Sequence, residues 1–207
     1  MIRIYGGGGT RSLKVAWMAE EMGLDYEIRP VKLFTGVPDE EFDELNPGGF
    51  VPAIVDGDVR MIESVAIMEY LAARYGPTPL APPPASPDFP AYQQYLHYGE
   101  ASLGGPLAVV LGTRFLAPEE EKQNWGAMAA IETVVRRSAV AARTLKSSPY
   151  LAGEAFTAAD ISVSYVLNLG VFLGFSDRYD PVIGEYLKRV QERPAYKAAV
   201  AKSQPKT

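Results

Sequence analysis

Apolar and polar positions follow two different periods along the chain. Up to residue 76, runs with period two predict four strands, over residues 2–5, 26–33, 53–55 and 59–62. Stretches with a period near 3.6 predict three helices between them, over residues 12–22, 38–45 and 63–75. The triplet Asp56-Gly57-Asp58 joins the last two strands as a hairpin signal. The predicted order is therefore βαβ followed by αββα.

A proline-rich segment, residues 77–90, follows this part and holds seven of the chain's 17 prolines. Proline lacks a backbone donor and fixes φ, so the segment predicts a stiff, extended linker and a domain boundary. We expect three parts: an α/β domain over 1–76, the linker 77–90, and an all-α domain over 91–207.

The remainder of the chain has a helical period throughout. It predicts five helices, over residues 88–115, 118–146, 157–173, 180–192 and 194–202. Gly104-Gly105-Pro106 should distort the first of them. The third is apolar almost all round, which indicates the buried central helix. Thr157 and Asp160 at its start predict a capping box, flanked by Phe156 and Ile161 at the hydrophobic staple positions.

Composition narrows the class of protein. The 207 residues are 47% hydrophobic and 22% charged, as expected for a soluble globular protein with a sizeable core. A net charge of −5 argues against nucleic acid as a partner. No apolar run approaches the ~20 residues that span a bilayer, and the N-terminus has no apolar signal region. We therefore expect a cytoplasmic protein that binds neither nucleic acid nor membrane.

The absence of cysteine excludes several chemistries at once. With no cysteine in the sequence, disulfides, thiolate metal sites and cysteine nucleophiles are impossible. The single histidine, His97, excludes a multi-histidine metal site. We expect no metal.

The stretch Y-G-G-G-G-T-R-S-L, residues 5–13, places four glycines at a strand-to-helix junction. A dinucleotide loop would need a small residue at Arg11, and the Walker spacing is absent. Two interpretations stay open at this point. The loop could hold a small anion with its backbone N–H groups and hydroxyls, or Thr10 or Ser12 could simply cap the first helix.

Several segments together resemble the soluble glutathione transferase family. They are V-P-A-I at 51–54, E-S-V-A-I at 63–67, residues 11–27 and F-T-A-A-D-I-S at 156–162. Their order and spacing carry the resemblance, which covers essentially the whole chain. The spans 11–27 and 156–162 also look typical of bacterial members. It implies a thioredoxin-like first domain that binds glutathione and a helical second domain.

The resemblance also implies which residues bind glutathione. Pro52 matches the family's cis-proline, which lets the backbone of Val51 pair with the cysteinyl part of glutathione. Glu63 and Ser64 match the pair that holds the γ-glutamyl end. Phe50 stands where a polar side chain commonly reaches the glycyl end. Family members often bind the glycyl carboxylate with basic residues from the second-helix region, but V-P-D-E-E-F-D-E at 37–44 has none, so Lys32 is the candidate substitute.

The implied reaction needs the thiolate of glutathione, because a thiol is a poor nucleophile. Family members supply a tyrosine, serine or cysteine for this purpose, and the lack of cysteine excludes the cysteine-type classes. Thr10 falls where serine-type classes place their serine, so the resemblance implies a serine- or threonine-type member, with Tyr5 as the runner-up for a tyrosine-type role. Thr10 is the first candidate for the hydroxyl that touches the sulfur, Ser12 is the second, and Arg11 could add charge stabilisation.

The acceptor substrate should bind between the two domains. Tyr5 is expected either to be packed in the first strand or to line this pocket. Other candidates lie in the first helix of the second domain: Tyr95, His97, Tyr98, Leu103 and Arg114. Ordinary packing is the alternative for each of these residues.

The resemblance thus implies a homodimeric detoxification enzyme that adds glutathione to hydrophobic electrophiles. Two alternatives stay open. One is a glutathione-dependent isomerase, dehalogenase or ether-cleaving lyase, and the other is a non-catalytic binding protein with the same fold.

Overall fold

A computed structural model describes residues 1–33 and 35–204. It contains a four-stranded sheet of β1 (Ile2–Gly6), β2 (Tyr26–Pro30), β3 (Ala53–Asp56) and β4 (Val59–Ile62). Helices α1 (Ser12–Glu21), α2 (Glu40–Leu45) and α3 (Ser64–Tyr75) alternate with these strands. The predicted βαβ–αββα order is confirmed.

The sheet has the strand order β2-β1-β3-β4. Strand β1 runs parallel to β2, with Gly6 opposite Pro30, and antiparallel to β3, with Tyr5 opposite Ala53. Strand β4 is antiparallel to β3, with Ile62 opposite Ala53. The end of β1, the start of β3 and the end of β4 therefore lie side by side at one end of the sheet.

Strand β2 is an edge strand and is shorter than the predicted 26–33. It ends at Pro30, which has no N–H to continue the pairing. Helix α2 likewise begins two residues later than predicted, because the side chain of Asp39 accepts a hydrogen bond from Phe42 N at 3.2 Å and caps it.

The second part of the chain is helical, as predicted. Its helices are α4 (Phe89–Tyr98), α5 (Gly105–Leu116), α6 (Trp125–Leu145), α7 (Ala158–Phe172), α8 (Pro181–Gln191) and α9 (Pro194–Ser203). The buried central position of α7 is confirmed, and the capping box between Thr157 and Asp160 is present. Phe156, at the predicted staple position, is also buried.

The long helix predicted over 88–115 is interrupted by a π-helical turn, Gly99–Gly104, between α4 and α5. The distortion predicted beside Pro106 is thus confirmed. The helix predicted over 118–146 instead begins at Trp125. Its cap is Asn124, whose side chain accepts from Ala127 N at 2.9 Å, and this cap ends the short turn Glu119–Glu121 before it.

The described chain forms two compact units. One comprises Pro79–Val190, and the other comprises Met1–Thr78 together with the chain from Gln191 onward. Helix α9 therefore belongs to the unit that contains the sheet, whereas the sequence led us to expect all of 91–207 in the helical domain. In α9, Tyr196 packs edge-on against Trp17 of α1, with ring centroids 4.8 Å apart. Arg193, the N-cap of α9, binds Glu21 through two hydrogen bonds of 2.5 and 2.7 Å.

None of the described helices has the length and apolar character needed to cross a membrane.

Candidate functional site

The glycine loop follows a path that other residues rarely take. Gly6, Gly7, Gly8 and Gly9 have φ angles of 144°, 119°, 54° and 79°. A Cβ added at Gly6 would lie 2.5 Å from the Cβ and Oγ of Ser12. The glycines therefore permit positive φ and admit the side chain of Ser12 against the loop.

Three backbone donors of the loop already have hydrogen-bond acceptors within the protein. Gly7 N donates to Ser12 Oγ at 2.8 Å, Gly8 N to the carbonyl of Ser203 at 2.8 Å, and Thr10 N to the carbonyl of Gly7 at 3.2 Å. The anion-cradle interpretation is wrong for these three groups, because none is free to bind a ligand.

The two hydroxyls beside the loop do not cap α1. The N-cap of that helix is Arg11, and its side chain makes no capping hydrogen bond. Thr10 Oγ1 and Ser12 Oγ lie 2.8 Å apart. Ser12 is fully buried, whereas Thr10 and Arg11 are partly exposed. Of the two candidate hydroxyls, that of Thr10 faces the more open environment.

The peptide bond between Val51 and Pro52 is cis. Val51 is buried, yet its backbone N–H and carbonyl form no hydrogen bond with any described residue. They form a free peptide edge just before β3. Phe50 next to it is 41% exposed, so its ring borders open space.

The segment before Val51 is held by Asn46, a residue that the sequence analysis missed. Asn46 is buried. Its Nδ2 donates to the carbonyl of Phe50 at 2.6 Å, and its Oδ1 accepts from Gly48 N at 3.1 Å. The N-P-G-G signal at 46–49 is typical of an Asx turn and could have identified this support.

The start of α3 has a strained backbone. Glu63, the N-cap of α3, has φ 72° and ψ 106°, a region that costs a non-glycine residue about 1–3 kcal/mol. Ser64 begins the helix and is buried. The exposed carboxylate of Glu63 and the hydroxyl of Ser64 therefore adjoin the positive end of α3.

The sheet register brings these segments together. Tyr5, Ala53 and Ile62 occupy one row across β1, β3 and β4. The next residues beyond this row are Gly6, Pro52 and Glu63. Because neighbouring strands lie about 4.8 Å apart, the glycine loop, the cis-proline and the start of α3 lie close together at this end of the sheet. Lys32, which follows β2 at the same end, is exposed and forms no ion pair with the described residues.

Tyr5 is packed and not open. It is 2% exposed, its hydroxyl donates to Glu41 at 2.5 Å, and its ring stacks on Phe42 with centroids 6.1 Å apart. Burial, and then the hydrogen bond to Glu41, raise the pKa of Tyr5. A side chain this buried does not line an open pocket, so the structure favours the alternative that Tyr5 is packed in the first strand.

The candidates in the helical unit fall into two groups. Tyr95 and Leu103 are buried, and Tyr98 donates its hydroxyl to the carbonyl of Arg137 at 2.9 Å. Burial raises the pKa of Tyr98. His97 and Arg114 are exposed, so these two are the candidates that present their side chains at the surface.

Within residues 1–33 and 35–204, no three acidic or histidine side chains are grouped so that they could hold a metal ion.

Comparisons with known proteins show which family the chain belongs to. Residues 10–74 match the family model described as glutathione S-transferase, N-terminal domain. The chain is 31% identical to glutathione S-transferase Z2 of Arabidopsis thaliana over 198 residues, which cover 89% of this chain and 83% of that protein. It is 28% identical to glutathione S-transferase 3 of Schizosaccharomyces pombe, covering 100% of this chain and 90% of the relative.

Solved structures show the same likeness across the whole chain. A sphingomonad glutathione S-transferase complexed with glutathione is 26% identical, with a TM-score of 0.82 and coverage of 98% of this chain and 100% of that one. A glutathione transferase of Phanerochaete chrysosporium in complex with oxidized glutathione is 25% identical, with a TM-score of 0.85 and coverage of 98% and 97%. By sequence over most of its length, this chain belongs to the glutathione S-transferase family of enzymes.

Proposed function

We propose that this chain is a serine/threonine-type glutathione transferase whose Thr10 stabilises the glutathione thiolate for attack on hydrophobic electrophiles. The observation that carries the proposal is that three features lie close together at one end of the sheet. They are the partly exposed hydroxyl of Thr10, the unpaired backbone groups of Val51 and the N-terminus of α3. These three features correspond to the sulfur, the peptide backbone and the γ-glutamyl end of glutathione.

Each part of glutathione has a complementary group of the protein at this end of the sheet. The free N–H and carbonyl of Val51 suit antiparallel pairing with the cysteinyl residue. The first turn of α3 and the Ser64 hydroxyl suit the γ-glutamyl carboxylate, because a helix N-terminus favours negative charge. The carboxylate of Glu63 is exposed and suits the amine. We assign the glycyl carboxylate to the unpaired ammonium of Lys32, with Phe50 bordering that end.

The chemical step follows from the hydroxyl. Thr10 donates a hydrogen bond to the sulfur, which favours the anionic form and lowers its pKa. The thiol proton passes to solvent. The thiolate then forms a carbon–sulfur bond with the electrophile, and a leaving group departs with its electron pair or a double bond is saturated. Arg11, beside Thr10, adds positive charge near the sulfur.

Two measurements test this proposal. The purified protein should be retained on immobilised glutathione, whereas a non-binding protein with this fold would pass through. Conjugation of a generic aryl halide should then fall at least about tenfold in Thr10→Ala, because the thiol pKa rises, and should largely recover in Thr10→Ser. Normal activity in both Thr10→Ala and Ser12→Ala would show that the hydroxyl assignment is wrong.

The remaining expectations are also proposals. A panel of electrophiles tests transfer against isomerisation, dehalogenation and ether cleavage. Sedimentation tests the homodimer, and fractionation of the source cells tests the cytoplasmic location. Limited proteolysis within 77–90 tests the domain boundary.

A further inference from the structure

The Thr10–Ser12 pair is asymmetric in its surroundings. Ser12 Oγ has two partners, Gly7 N at 2.8 Å and Thr10 Oγ1 at 2.8 Å. Ser12 is 0% exposed, so water cannot replace either partner. Thr10, in contrast, is partly exposed.

This asymmetry fixes the direction of the hydroxyl protons. A serine hydroxyl carries one proton and two lone pairs, and Gly7 N–H already donates to one lone pair of Ser12. The remaining proton of Ser12 needs an acceptor. Among the described residues, Thr10 Oγ1 is the acceptor within hydrogen-bond distance. The reverse direction would leave the Ser12 proton buried and unpaired, which is unfavourable.

We propose that Ser12 is a positioning residue that donates to Thr10 Oγ1 and thereby commits the Thr10 proton to the bound sulfur. The inference rests on the proposed function. The hydrogen bonds run from Gly7 N–H to Ser12, from Ser12 to Thr10, and from Thr10 to the ligand. With its oxygen occupied by Ser12, Thr10 acts as a donor, which suits a thiolate and not a thiol. Each hydrogen bond in this series polarises the next one.

The test compares Ser12→Ala, Thr10→Ala and the double variant, with Ser138→Ala as the matched control. Ser138 is a second buried serine, in α6, whose hydroxyl donates to the carbonyl of Val135. The pKa of glutathione bound to each protein is read from the ultraviolet absorbance of the thiolate during a pH titration. The dependence of kcat and KM on pH is measured in parallel with an aryl halide.

We expect Ser12→Ala to raise the pKa of bound glutathione by about one unit, which corresponds to about a tenfold loss of kcat at pH values below that pKa. The loss should vanish at high pH, and the KM for glutathione should change less than about threefold. The double variant should match Thr10→Ala alone, since Ser12 acts through Thr10. A merely structural role would lower activity at every pH and add to the Thr10 effect.

Other outcomes separate the inference from the proposed function. If Ser12→Ala leaves the titration unchanged while Thr10→Ala shifts it, the positioning role is wrong and the proposed function stands. If neither variant shifts it, both hydroxyl assignments are wrong. If glutathione does not bind at all, the proposed function fails. The Ser12–Thr10 bond is then judged by a double-mutant cycle on the free energy of unfolding, where additivity overturns it and coupling upholds it.

A second variant keeps the test usable if Ser12→Ala does not fold. Ser12→Cys preserves the size of the side chain and a weak acceptor for Gly7 N–H, but a thiol is a poor donor to Thr10. Measured under reducing conditions, it should raise the pKa of bound glutathione in the same direction. An unchanged pKa in Ser12→Cys would overturn the inference.

Discussion

Glu63 carries strain that a glycine would avoid. Among the described residues, it is the non-glycine residue with a positive φ, 72°. The backbone at this point turns the chain from β4 into α3, so that the first turn of that helix lies beside the end of the sheet described above. Retaining a side chain here therefore favours a role for the Glu63 carboxylate, because strain of this kind concentrates at functional sites.

Glycine and alanine at position 63 should separate strain from side-chain function. Both substitutions remove the carboxylate, but glycine adopts positive φ freely. We expect Glu63→Gly to be more stable than Glu63→Ala by about 1 kcal/mol in chemical denaturation. Both should weaken glutathione binding by a similar factor in calorimetry. Equal stability of the two variants would contradict the strain argument.

Asp160 provides a second residue-scale prediction, because it is a buried carboxyl. Its oxygens accept from Leu151 N at 3.0 Å, Thr157 N at 2.9 Å and Tyr186 Oη at 3.0 Å. Burial outweighs these hydrogen bonds and raises the pKa of Asp160 to about 6. Its ordinary pKa is near 4, so the folded state binds the proton more tightly than the unfolded state does.

The stabilising contribution of the raised pKa is complete below pH 4 and is lost as pH rises through about 6. The free energy of unfolding of the wild type, measured relative to Asp160→Asn, should therefore fall between pH 4 and pH 7. The expected decrease is roughly 3 kcal/mol at most, from about two pKa units. Denaturation of both proteins at several pH values checks this, and a constant or rising difference would refute it.

At the scale of elements, the π-helical turn has a local cause and a distant support. Pro106 has no N–H to donate to the carbonyl of Ser102, four residues earlier. That carbonyl instead accepts from Arg137 Nη1 of α6 at 2.6 Å. A side chain thus replaces the backbone donor that proline removed, and the interrupted helix packs against α6 without losing this bond.

Removing the replacement donor should destabilise the helical unit. Arg137→Ala leaves the partly buried Ser102 carbonyl unpaired, which costs about 1–3 kcal/mol. Arg136→Ala, one position earlier on the exposed side of α6, is the matched control and should change stability little. Thermal and denaturant unfolding of the two variants measure the difference, and equal losses would show that the bond to Ser102 contributes nothing.

Local patterns predict the elements well because the period and the breakers act within a few residues. The Asp56-Gly57-Asp58 hairpin, the distortion beside Pro106 and the capping box at Thr157 all follow from neighbouring residues. The carbonyl partner of Arg137 could not be predicted in this way, because it lies 35 positions away in sequence.

The candidate site was predictable only in part. The positions of Pro52 and Ser64 follow from short motifs and their spacing. The burial of Ser12 does not, because it depends on how closely the loop turns back at Gly6. The commitment of Gly8 N to Ser203 is likewise a contact between the two ends of the described chain.

At the scale of the whole molecule, α9 completes the unit that contains the sheet. It packs along α1 through Tyr196 and Arg193, and Lys202 forms an ion pair with Glu20 at 2.6 Å. Its end then bonds to the glycine loop. The stability of this unit therefore depends on contacts between two segments that are far apart in sequence.

Truncating the aromatic contact tests this dependence. Tyr196→Ala removes a half-buried ring from Trp17 and should lower the free energy of unfolding by roughly 2 kcal/mol. Lys197→Ala, an exposed neighbour on the same helix, serves as the control. The fluorescence of Trp17 reports the transition; Trp125, which is 85% exposed, can be replaced by phenylalanine to leave a single signal. Equal midpoints in the two variants would show that α9 adds no stability through this ring.

The hydrogen bond between Gly8 and Ser203 has a consequence for synthesis of the chain. Domains generally fold in the order in which the ribosome makes them. Here the helical unit between Pro79 and Val190 is fully made before α9 emerges. Strand β1 and helix α1 are translated before α9, whose Tyr196 packs against the ring of Trp17. The loop proposed to hold the thiolate is consequently made well before Ser203, the residue whose carbonyl accepts from Gly8 N.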